Sequence, residues 1–181
     1  MIIVLGPPGC GAEEVGAELI ASGHRVLHSD LLAEEHAGMS LPDLAITQGQ
    51  KAVEKATEAG ALAGFAARPD ILILGSGALG NEPGDEAGKA VRAALAQARE
   101  RGDRTVCLMA QPHVLSRRSG LDAPRRVALG APRAMFLAML TKRMPLYEEG
   151  NDIIATDDGD WPTIAACLVD HSKPGNMGDR A

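Results

Sequence analysis

Short runs of strand length, MIIVL, HRVLH, PDILILG, RTVCLM and DIIAT, recur along the chain with helical stretches between them. Within most of them apolar and polar residues hardly alternate. A strand with one wet face alternates; a strand covered on both faces reads as a nearly continuous apolar run. Strands of that kind separated by helices specify a parallel sheet, because parallel neighbours need a crossover long enough to hold a helix. The class is therefore α/β. Ligands of such sheets bind beyond the carboxyl ends of the strands. Here those ends carry GPPGCG, HSD and GSG.

The helical stretches are read from spacing. AEEVGAELIAS places Val15, Leu19 and Ile20 on one side. Residues 30–65 are helical in pattern, with a capping pair at Ser40 and Asp43. Residues 84–102 form a helix with Val91, Ala94, Leu95 and Ala98 on one face. Residues 111–118 and 133–147 are helical, the latter with Met135, Met139 and Leu140 in the core, and WPTIAACLVDHS closes the series. SGLDAPRRVALGAP is a loop rich in glycine, proline and arginine.

The 181 residues suffice for one domain, with no internal repeat. Aromatics make up 2%, so the core must be aliphatic. A formal charge of −6 argues against a nucleic-acid partner. No run approaches the ~20 apolar residues of a membrane helix, and MIIVL, followed at once by Gly and Pro, is not expected to serve as a targeting segment. Cys10, Cys107 and Cys167 are too scattered for a zinc cluster or a disulfide scaffold; free thiols suit a cytoplasmic location. No metal site is expected. The last residues, 172–181, are small and polar and are expected to form a loose tail.

The loop after the first run has half of the phosphate-binding pattern GxxxxGK[ST]. Gly6, Gly9 and Gly11 allow successive backbone N–H groups around Cys10 to converge as an anion nest at a helix N-terminus. Ala12 and Glu13 stand at the lysine and hydroxyl positions. A carboxylate ~4 Å from a phosphate charge at an effective dielectric of ~20 costs on the order of 4 kcal/mol before screening. Acids in a first turn also stabilise a helix, which accounts for Glu13 and Glu14 without a ligand. Alternatively, Glu13 folds back and fills the nest itself.

Taken together, RMPLYEEGNDIIAT, HSDLLAEEHAGMSLPDLAITQGQ, DILILGSGAL and RTVCLMAQPHVLSRR resemble the shikimate kinase family in order and spacing, from Met1 to about His171. The resemblance implies a three-layer P-loop fold of the nucleoside-monophosphate-kinase type. It has a five-stranded parallel sheet flanked by helices, and here a lid at residues 119–131 within one domain, 1–171. It implies transfer of the ATP γ-phosphate to a shikimate hydroxyl. Asp30 matches the acid that binds shikimate hydroxyls; His28 replaces a second acid near Mg²⁺. Gly75, Ser76 and Gly77 match the family's glycine segment, and Arg143 matches an arginine for the shikimate carboxylate. Arg125 matches the lid arginine, beside Arg126, and Arg118 the arginine that stacks on adenine. Glu54 replaces an arginine for the carboxylate and would favour a neutral polyol or a cation.

Plain structural roles stand beside these. Asp30 is placed to cap a helix, Arg143 to pair with Glu148 or Glu149, and Trp161 to pack at a helix start. Arg117, Arg118, Arg125, Arg126 and Arg133 are either a solvated face or a surface that holds an anion. His28 is a surface histidine or an acid–base group. The losses at Ala12, Glu13 and His28 fall on the triphosphate and metal side. The functional expectation is a protein that binds a small polyol or hydroxy acid without efficient phosphoryl transfer, as a pseudo-kinase or a repurposed enzyme, needing no cofactor. The alternative is an active shikimate kinase using ATP and Mg²⁺. A protein partner is compatible with either.

Overall fold

The computed structural model describes residues 1–121 and 132–170. Arg125 and Arg126, most of the expected lid and the tail at 172–181 lie outside the described residues.

The strands are β1 (Ile2–Leu5), β2 (Val26–His28), β3 (Ile71–Ile73), β4 (Arg104–Met109) and β5 (Asp152–Ala155). All pair in parallel in the order β2-β3-β1-β4-β5. The helices between them are α1 (Ala12–Ala21), α2 (Ser29–Ala37), α3 (Leu41–Gln48) and α4 (Gln50–Ala67), then α5 (Lys89–Glu100), α6 (Pro112–Arg118), α7 (Pro132–Glu148) and α8 (Trp161–Val169). They cover both faces of the sheet, as the unalternating strands require.

The period of two in β1 divides the core. Ile2 and Val4 join a cluster with Val15, Leu19, Val114, Ile164 and Leu168. Ile3 and Leu5 join one with Phe65, Val91, Leu95, Leu146 and Tyr147 on the other face. Each fully buried aliphatic side chain contributes ~1.5–3 kcal/mol, which is how a chain with so few aromatics holds together. The edge strands differ from expectation. β2 is only half-buried and β5 is mostly exposed, because each has one neighbouring strand and incomplete helical cover.

The helical stretch 30–65 is divided among three helices, the second of them starting at the expected Ser40 cap. Gly38 turns left-handed (φ 68°) and ends α2. Ser40 then caps α3, accepting the Asp43 N–H at 3.2 Å and donating to Asp43 Oδ2 at 2.6 Å. Gly49, at φ 84°, separates α3 from α4. The helix expected over 84–102 starts only at Lys89. Arg92 holds the preceding loop by donating to the carbonyls of Leu79, Asp85 and Ala87, and so keeps that segment out of helix. In α7 the buried positions are Phe136 and Leu140, whereas Met135 is 70% exposed. The core stripe therefore runs one residue later than Met135 indicated, with Met139 partly buried beside it.

Candidate functional site

The polar and glycine clusters at the ends of β1, β2 and β3 meet in one open cleft of about 920 Å³. Its floor is the loop Gly6–Gly11, one wall is the start of α1 with Ala12, Glu13 and Glu14, and another is His28, Asp30, Leu31 and Glu34. Gly75 and Ser76 close it from β3, Leu41 and Pro42 from α3, and Arg118 from α6.

The loop has the geometry of an anion nest. Gly9 and Gly11 sit at φ 79° and 92°, in the left-handed region that only glycine enters without strain. The loop turns directly into α1, where no side chain caps the free N–H groups. A β-carbon on Gly11 would also overlap the Trp161 ring, so glycine is required there twice over. Cys10 is buried within the loop, and burial pushes its thiol up to about 11; Cys107 is pushed up to about 12 by burial as well. Neither is a nucleophile at neutral pH. Glu13 is solvent-exposed, and among the described residues no loop N–H donates to it. It does not fold back into the nest. Its charge instead reaches His28 and Asp30 across the cleft.

Asp30 lies in the first turn of α2 rather than at its cap, which is His28. Its carboxylate rests against Gly75 so closely that any β-carbon there would overlap it. Ser29, fully buried, fixes this approach by accepting the Gly75 N–H at 2.8 Å. Burial raises the Asp30 pKa above its usual value, and the charges of Glu34 and Glu13 add to the rise. His28 is half-buried beside α1. Burial lowers its pKa, with Glu13 opposing, so at neutral pH its imidazole is uncharged.

Arg118 is heavily engaged. It donates to the carbonyls of Thr156 (2.7 Å) and Asp157 (3.3 Å), and more weakly to the Gly9 carbonyl and Thr156 Oγ1 (both 3.4 Å). Its guanidinium stands 4.8 Å over the Trp161 ring. Trp161 thus both starts α8 and stacks, and the pair braces the phosphate loop against the β5–α8 turn. Arg143 makes no ion pair with Glu148 or Glu149 among the described residues. It donates to the Ser76 carbonyl at 3.3 Å and to Asn81 Oδ1 at 2.6 Å, and Tyr147 Oη donates to the same Ser76 carbonyl at 2.6 Å. Glu54, half-buried on α4, is not part of the cleft wall, and neither are Gly77 and Arg143; Arg143 touches the wall only through the Ser76 carbonyl.

Sequence reasoning missed Glu34 and Asn81. Glu34 lines the cleft and accepts the Leu41 N–H at 2.9 Å, tying α2 to α3. Its signal was its spacing, four residues after Asp30 and therefore on the same helix face. Asn81 had none, since its role depends on a side chain 62 positions away.

Comparison with known proteins gives a consistent result. The shikimate kinase of Thermobifida fusca (strain YX) is 30% identical over 175 residues, covering 96% of this chain and 95% of that one. The chain belongs to the shikimate kinase family. The shikimate kinase of Mycobacterium tuberculosis (strain ATCC 25177 / H37Ra) is 33% identical over 147 residues, 80% of this chain and 77% of that one. No family model matches. Among solved structures, the fold is that of shikimate kinase from Acinetobacter baumannii, a complex with shikimate, at a TM-score of 0.71. That likeness has 22% identity and covers 92% of this chain and 89% of the other. The Bacteroides thetaiotaomicron shikimate kinase follows at a TM-score of 0.68 and 20% identity, covering 92% and 94%.

The family's reaction uses ATP and Mg²⁺. The uncapped N–H groups at the start of α1 fit a phosphate, whereas the Cys10 N–H is taken by the Pro7 carbonyl at 3.1 Å. A magnesium ion held mainly by the phosphates would find two carboxylates in the cleft, Glu13 and Asp30, with the His28 imidazole between them in sequence. None of the described helices is long and apolar enough to cross a membrane.

Proposed function

We propose that this protein is a phosphotransferase of the shikimate kinase type, acting on shikimate or a closely related small hydroxy acid, with turnover depressed by Ala12 and Glu13. Family membership supports the reaction class. The observation that carries the reading is the placement of Asp30 against Gly75 in the same cleft as the phosphate loop. An acceptor hydroxyl held by Asp30 would face a phosphate chain seated over Gly9 and Gly11. Arg143, behind Ser76, would meet the acceptor's carboxylate, and the neutral His28 beside Asp30 is suited to share its proton traffic. Phosphoryl transfer depends on positioning and charge stabilisation. The cleft retains the first and has lost part of the second.

The test is an ATP-dependent assay on shikimate. Turnover below the ~1–100 s⁻¹ usual for kinases, raised by the double change Ala12→Lys and Glu13→Ser, is the expected result. The second reading, binding without transfer, rests on Glu13, whose charge already raises the Asp30 pKa and would oppose a triphosphate. Shikimate binding with no shikimate-dependent ADP formation would select it. Absence of both binding and turnover would remove the two together.

A further inference from the structure

We propose that Asn81 is a positioning residue that holds Arg143 at the ligand site without cancelling its charge. The inference rests on the reading above, in which Arg143 meets the carboxylate of a small hydroxy acid.

Asn81 Oδ1 accepts from Arg143 Nη2 at 2.6 Å, the shortest bond the guanidinium makes. An amide oxygen gives direction to a guanidinium but carries no charge, so the Arg143 cation is oriented and still attractive to an anion. A carboxylate in the same place would orient it and neutralise it. The Arg143 Nε is buried and has no hydrogen-bond partner, a donor left over on the side chain that Asn81 holds.

The amide is itself fixed. Asn81 N and Nδ2 both donate to Asp85 Oδ2 at 3.2 Å, which decides which end of the amide faces Arg143. Asp85 Oδ1 accepts from the Ala87 N–H at 3.3 Å, and Arg92 ties the loop to its helix through the Leu79, Asp85 and Ala87 carbonyls. The chain of contacts therefore runs from α5 through Arg92, Asp85 and Asn81 to Arg143 and the Ser76 carbonyl at the cleft.

The test is calorimetric titration of the full chain with shikimate and with its neutral carboxamide, with melting temperatures measured in parallel. Arg143→Ala is expected to abolish the preference for shikimate over the carboxamide. Asn81→Ala should weaken shikimate binding about tenfold, the scale of one hydrogen bond to a charged group, and leave the carboxamide unchanged. Asn81→Asp, which keeps an acceptor for Arg143, should weaken shikimate at least as much and again spare the carboxamide. A merely structural role would weaken both ligands alike, and that result overturns the proposal. Wild-type shikimate affinity in both Asn81 variants, with Arg143→Ala defective, also overturns it while leaving the function reading intact. Unchanged shikimate binding in Arg143→Ala overturns the function reading and the proposal with it.

Discussion

Two aspartates at opposite ends of the sheet are treated in opposite ways. Asp103, before β4 at the amino end, is 4% exposed in its side chain and is gripped by Arg68 at 2.9 and 3.2 Å, with Arg101 at 3.5 Å. Burial alone would push its carboxyl up; the hydrogen bonds and charges around it, those of Arg68 foremost among the side chains, more than offset this and hold it below the usual range. Asp30, at the carboxyl end, is half-buried against a glycine and faces two acids, and its pKa is raised. The first acid is satisfied within the fold. The second is left in need of a partner, which is what a binding site requires of its polar groups. The scaffold end of the sheet is closed electrostatically; the ligand end is not.

The largest effect that would sharpen this contrast is on stability. Asp103→Ala leaves the Met1 ammonium, 3.1 Å from Asp103 Oδ1 and all but buried, without its partner, while the half-exposed Arg68 returns to water; breaking a buried pair costs ~3–5 kcal/mol. The melting temperature should fall by about 10 °C; a fall within error would break the comparison at its scaffold end. Asp30→Asn should do the reverse. It removes a desolvated charge, so the melting temperature at pH 7 should match or exceed wild type, while shikimate affinity falls by about tenfold or more. A clear loss of stability in Asp30→Asn would show that the acid serves the fold.

Titration gives a second contrast. Asp103, with its pKa depressed on folding, contributes stability that is present above its unfolded pKa and lost as pH falls through the folded value. Asp30, with its pKa raised, contributes stability that is fully present below its unfolded value near 3.8 and is lost as pH rises through the folded value. The stability advantage of Asp30→Asn over wild type should therefore be present at pH 7 and vanish below pH ~4. An advantage independent of pH would contradict the raised pKa. His28, depressed, follows the Asp103 sign: its contribution is present above about 6.5 and lost as pH falls through its folded value.

The smallest effect concerns Arg118 and Trp161. Their stacking is worth ~0.5–2 kcal/mol, so Arg118→Ala should lower stability by little more than that together with its lost hydrogen bonds. Trp161 is the single tryptophan, and it lies under Gly11. Its fluorescence should change when nucleotide phosphate occupies the loop. Titration with ATP that produces binding heat but no fluorescence change would place the phosphates elsewhere.

Most of the architecture was legible because it rests on local pattern. Unalternating strands, glycine after β1 and the Ser40–Asp43 cap each act within a few residues. The breaks at Gly38 and Gly49 were harder to see, since a single glycine in a helical pattern is tolerated as often as it terminates. Met135 was misplaced because Phe136 and Leu140 fit the same spacing one residue on, and only packing against α6 distinguishes them. In the site, glycines and Asp30 were visible through their motifs. The absence of Glu54 from the cleft wall was not, because helix rotation is set by packing. Nor were the ties of Arg143 to Asn81 and Ser76, which join α7 to the β3 end.

The order of amino acids by itself determined the α/β class, the glycine loop after β1, and membership of the shikimate kinase family. Those depend on periodicity, on glycine's access to positive φ, and on motif spacing, all of which are properties of the chain. Tertiary structure alone decided which acid is paired and which is left unpaired in the cleft, and which neutral amide bonds to Arg143. Those outcomes depend on distances between residues far apart in the chain, and both burial and Coulomb energy are functions of distance in space.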